Sequence, residues 1–120
     1  SVENIKCILC DDESENIEHL FFNCSYSGQV WQNVLRWQAI QRQALGWHEE
    51  QRWAQEQYKG KMPEAEIFRI SLTASVYYIW QERNQIIFQK VIRSCDVLVR
   101  TIIQEVHVRG GMKLKLSMKL

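Results

Sequence analysis

Cys7, Cys10, His19 and Cys24 stand near the start of a 120-residue chain in the order C-x2-C-x8-H-x4-C. Thiolate and imidazole are the donors zinc prefers, and structural zinc sites commonly take two ligands from a tight Cys-x-x-Cys turn and two from elsewhere. Cys7-Ile8-Leu9-Cys10 has the form of that turn. Four protein donors complete a tetrahedral sphere and leave no position for an activated water, so the expected role of the metal is structural. Three thiolates against a dication leave one net negative charge on the centre. Zinc binding in small modules amounts to about 10–16 kcal/mol, comparable to the stability of a domain, so its loss should unfold at least the N-terminal segment.

The ligand spacing constrains the backbone that carries it. His19 and Cys24 are five positions apart, about 500° of α-helical rotation, so one continuous α-helix cannot aim both at one ion. The helix carrying His19 must therefore break near Asn23. Ser14 can cap that helix, with Glu15 and Glu18 at the positive end of its dipole and Ile17, Leu20 and Phe21 on its buried face. A second helix can start at Ser25 or Ser27, with Val30, Trp31, Val34, Leu35 and Trp37 at three-and-four spacing and Gly46 as its stop. Trp47 to Lys61 reads as a short Gln-rich helix anchored by Trp53 and Tyr58.

Pro63, the only proline, suits the first turn of a helix that then runs without Gly or Pro to Lys90, about 40 Å long. Its expected stripe is Ile67, Ile70, Ala74, Tyr77, Ile79, Trp80, Arg83, Ile87 and Phe88. Ser94 can cap a last helix with Cys95, Leu98, Ile102 and Val106 on one stripe, closed by Gly110-Gly111. Lys113 to Leu120 then alternates with period two, the pattern of an edge strand, a swapped arm or a free tail. The expected fold is thus a small all-α domain of about five helices. It divides into a zinc knuckle (1–27), a helical body (28–110) and a basic alternating tail (111–120).

Composition narrows the function. With 46% hydrophobic and 24% charged residues the chain has the makeup of a folded domain, and a net charge of +1 conceals a strong polarity. Residues 1–24 hold one cation against six carboxylates, and residues 83–120 hold eight cations against two. An acidic head and a basic tail can draw an anionic partner to one end or pair copies head to tail. No apolar run is long enough to cross a bilayer, and Ser1-Val2-Glu3-Asn4 lacks the basic and apolar regions of a secretory leader, so the expectation is an intracellular protein of nucleus or cytoplasm. Opening on Ser1, the sequence also reads as a piece of something longer. Reduced thiols in such a compartment favour metal over disulfides.

Two segments carry a family resemblance. The run Cys7 to Trp31, with Glu18-His19-Leu20-Phe21-Phe22-Asn23-Cys24 at its centre, resembles the zinc-binding domain of plant non-LTR (LINE-type) retrotransposon reverse transcriptases. Val76 to Phe88, with Trp80, Glu82, Arg83 and Asn84, resembles that family's Trp-x-Glu-Arg-Asn helix. The resemblance implies that Cys7, Cys10, His19 and Cys24 are the ligands, with a non-catalytic accessory role beside nucleic-acid-handling machinery. The sequence lacks a paired-aspartate polymerase signature.

Arg93, Arg100, Arg109, Lys113, Lys115 and Lys119 are the candidate phosphate contacts, since such contacts need clustered positive charge and no base readout. RNA or single-stranded DNA is the partner this reading implies. Homo-oligomerisation is the rival, given 11% aromatic residues and the alternating Leu/Lys arm. Neither reading involves a membrane or a small-molecule substrate. Trp31 and Trp80 are expected in the core, Trp47 and Trp53 as the more exposed pair, and Cys95 as a buried free thiol. Arg83 and Asn84 are expected to fix the long helix to its neighbours by hydrogen bonds, and His48 and His107 to be surface groups.

Overall fold

The computed structural model describes residues 7–10, 19–58 and 62–118. One π-helical turn, His19–Asn23, precedes α1 (Ser25–Trp37), α2 (Trp47–Gln57), α3 (Pro63–Gln89) and α4 (Cys95–Met118). The all-α architecture is as expected, with no strand among the described residues. Ser14 and Ile17, the expected cap and first apolar anchor of the His19 helix, lie outside them.

The spine is an antiparallel hairpin of α3 and α4. Pro63 sits in the first turn of α3, where its missing N–H costs nothing. Twenty-seven residues later the helix stops at Lys90, which takes the left-handed conformation (φ 57°) and donates its N–H to the Ile86 carbonyl. Ser94 then caps α4 as expected, its Oγ accepting from the Val97 N–H at 3.4 Å. Phe68, Ser71, Leu72, Ser75, Ile79 and Glu82 form the buried stripe of α3, facing Leu98, Ile102 and Val106 of α4. At roughly 1.5–3 kcal/mol for each large side chain withdrawn from water, this seam supplies much of the core.

Two sequence expectations fail on this hairpin. Trp80, Tyr77, Ile87 and Phe88 are exposed, not core residues. α3 is apolar around much of its circumference, so periodicity alone does not single out its buried face, and the small hydroxyl side chains of Ser71 and Ser75 occupy core positions. The second failure is the tail. α4 continues through Gly110-Gly111 to Met118, so 111–118 is neither strand nor separate arm. Gly110 is buried because α3 passes close by: a Cβ built there would collide with Cδ1 of Ile67. It serves helix packing, not helix termination.

α1 lies along α4 in the same direction. Tyr26 Oη donates to the Arg93 carbonyl at 2.9 Å at one end, and Trp37 stacks edge-on with His107, centroids 5.3 Å apart, at the other. His107 thus has a ring partner although it is exposed. Between them Val30, Trp31, Val34 and Leu35 are buried, and Trp31 meets Phe68 of α3 edge to face at 5.7 Å. α1 ends at Trp37, not at Gly46. Ala39 adopts φ 63°, Ile40 N–H reaches back to the Leu35 carbonyl and Ala39 N–H to that of Arg36. This is a Schellman end in which alanine takes the place usual for glycine, with Ile40 buried beside it. Gly46 instead precedes α2 as its N-cap.

The polar helix α2 is held by one buried carboxylate. Glu50 is fully buried, receives both terminal nitrogens of Arg42 at 2.7 and 3.1 Å and accepts from the Leu45 N–H at 2.7 Å. The Arg42 guanidinium also covers the Trp53 ring at 4.1 Å. Trp53 and Tyr58 pack on Phe68, centroids 5.4 and 5.9 Å away, so both are anchors as the sequence suggested. Trp47 and Trp53 are half-buried.

Candidate metal centre

The four expected ligands converge. Cys7 and Cys10 flank a tight turn, His19 opens the π-turn and Cys24 follows it immediately before α1. The break near Asn23 takes the form of an i to i+5 closure, in which Cys24 N–H donates to the His19 carbonyl at 2.6 Å. An α-helical path would leave the two side chains on different faces, whereas a single π-turn brings Cys24 back above His19. Cys24 is extended (φ −66°, ψ 138°), which turns the chain into α1.

Their donor atoms all lie within 4.8 Å of one another. Cys7 Sγ and Cys24 Sγ are 3.7 Å apart, and Cys10 Sγ lies 3.3 Å from His19 Nε2. Two sulfurs each about 2.3 Å from a tetrahedral ion sit about 3.7 Å apart, so the first distance is a tetrahedral edge. It is also far too long for a disulfide, and the cysteines are free. Cys7, His19 and Cys24 are buried and Cys10 is partly so. Burial raises the Cys24 thiol well above its ordinary range, with the neighbouring Cys7 adding to the rise against hydrogen bonds from the Ser27 and Tyr26 backbone. A buried group that resists ionisation in this way needs a cation beside it to become a thiolate, and metal binding here must expel protons. The set therefore fits a thiophilic tetrahedral ion.

Residues 1–31 match the family described as zinc-binding in reverse transcriptase. The match spans all four donors and ends on Trp31, the buried centre of α1, so the resemblance to a reverse-transcriptase zinc-binding domain holds for this segment. No curated protein and no solved structure matches the chain. The matched segment is fastened to the helical body through Leu9 and Leu20, both buried, and through Phe21, whose ring lies 6.5 Å from that of Trp80.

The candidate phosphate contacts are spread along α4 and the loop before it. Arg93 binds Glu82 through Nε at 2.8 Å, and its own N–H donates to the same carboxylate at 2.9 Å. Arg109 pairs with Glu105 one helical turn away, at 2.7 Å. Arg100 is exposed, Lys113 and Lys115 lie in the last turns of α4, and Lys119 is outside the described residues. Arg83 stacks over Trp80 at 4.9 Å and donates to Asn84 at 3.2 Å, both on its own helix.

Glu82 also ties α3 to its neighbours, and the sequence reading passed over it along with Glu50. Both are fully buried carboxylates with an arginine partner. Glu82 lies three residues after Ile79 and seven after Ser75, on the buried stripe, and that register was the available signal. Cys95 is half-buried, its Sγ against the Tyr26 carbonyl at 3.7 Å, and burial raises its thiol above the ordinary range.

Proposed function

We propose that the chain is a non-catalytic, retroelement-derived module in which Cys7, Cys10, His19 and Cys24 hold one structural zinc ion and the basic residues of α4 assist nucleic-acid binding. The observation that carries this reading is the convergence of four soft donors, three of them buried, inside the segment that matches a zinc-binding family. Zinc there would act as a structural cross-link, drawing three thiolates and an imidazole into one tetrahedron. The four ligands then join the Cys7–Cys10 turn to the entrance of α1, and Tyr26, two residues after Cys24, carries the link to the α3–α4 loop.

For the nucleic-acid role, Arg93 and Arg109 already have carboxylate partners, whereas Arg100 is exposed and Lys113, Lys115 and Lys119 add clustered positive charge in the sequence that follows. Such contacts release counterions, so affinity for single-stranded RNA or DNA should fall steeply with salt. With about four phosphate contacts on a single strand, the slope of log affinity on log salt should be near −3. Undetectable binding at low salt, or binding indifferent to salt, rejects the role. A second reading, a self-assembling scaffold, is favoured by the large apolar side chains left exposed along the second half of α3.

A further inference from the structure

Tyr77, Trp80, Asn84 and Phe88 follow one another at three, four and four positions on α3 and line one shallow groove on its outer side. Phe88 is 82% exposed, and Val91 and Ile92, also exposed, continue the apolar run into the loop. Taking about 200 Å² for a whole aromatic surface, these side chains with Ile87 present on the order of 700 Å². A stable interface draws about 800 Å² from each partner, whereas the largest apolar patch of a typical monomer is 300–600 Å².

The order of residues says what covers it. Within α3, Trp80 and Phe88 lie four positions on either side of Asn84. The pattern is therefore symmetric about Asn84. If two such helices run antiparallel with Asn84 opposite Asn84, Phe88 of each faces Trp80 of the other, the reciprocal contact a two-fold interface requires. The asparagine amide has both donors and an acceptor, so a pair can satisfy each other across the axis. No carboxylate flanks the face: Glu82 points inward to Arg93, Gln81, Gln85 and Gln89 lie alongside, and the cations nearest the seam are Arg83, laid over Trp80, and Lys90 at the end of the helix. We propose that this face is a self-complementary seam, along which α3 packs antiparallel on α3 of a second copy about a two-fold axis at Asn84. The proposal rests on the self-assembly reading and specifies its surface and symmetry.

Sedimentation equilibrium of the zinc-loaded chain tests it, with Phe88→Asp as the disrupting variant. Because Phe88 is so exposed, that variant should keep its helicity by circular dichroism. A dimer at tens of micromolar is expected, with its dissociation constant raised at least about thirty-fold in the variant. Register is tested separately by Asn84→Cys and Gln89→Cys under oxidised glutathione. The first should give a disulfide-linked dimer. The second should not, because copies of residue 89 are ten residues apart along the seam, about 15 Å, beyond disulfide reach. A wild-type chain that stays monomeric at 100 µM overturns both the seam and self-assembly. A dimer that Phe88→Asp leaves intact, or that crosslinks equally at both positions, overturns the seam while self-assembly stands.

Discussion

At the residue scale the molecule depends on a few polar groups placed where water does not reach. The four candidate metal donors were legible in the sequence because their chemistry is local: a Cys-x-x-Cys turn and a His-x4-Cys step are readable without knowing the fold. The buried carboxylates were not, since Glu82 and Glu50 are explained only by partners eleven and eight residues away. Glu82 is the more consequential, because it fastens the α3–α4 loop from which Arg93 also receives Tyr26 of α1. Removing Arg93 leaves a charge buried with only one backbone donor. Arg93→Ala should therefore lower unfolding stability by about 3 kcal/mol, measured by denaturant melts of the zinc-loaded protein. A loss under 0.5 kcal/mol would mean the pair is an ordinary surface contact.

At the element scale, success and failure both follow from how glycine and proline are read. Pro63 announced the start of α3 and Ser94 that of α4, because each acts through its own backbone. Gly46 and Gly110 misled, because the left-handed residue that ends α1 is Ala39 and because Gly110 is used for its lack of a side chain. The long α3 also hid its buried face, since apolar side chains lie on its outer side as well. Gly110→Ala separates the two roles a helical glycine can have. On propensity alone it should stabilise by about 1 kcal/mol. The Ile67 methyl in its way is the far end of a half-buried side chain and must swing aside, so the net gain should fall short of that. Adding Ile67→Val, which removes the clashing methyl, should recover most of the difference in a thermal-melt double-mutant cycle. A full gain of about 1 kcal/mol from the single substitution would show that the helices do not approach so closely.

At the scale of the whole molecule, a hairpin of two long helices sets an elongated body of 54 × 28 × 22 Å, and α1 and α2 pack against it. No helix is long and apolar enough to cross a membrane among the described residues. Among the described residues of the N-terminal segment, Leu9 and Leu20 are buried aliphatic anchors. On the proposed reading, zinc held by the four donors sets the shape of this segment and, through the π-turn, fixes the start of α1. The most direct measurement is the metal content of the purified, untagged protein by elemental analysis, alongside the Cys24→Ser variant. One zinc per chain is expected in the native protein, and less than about a tenth of that in the variant. A native chain carrying no stoichiometric zinc would contradict the account.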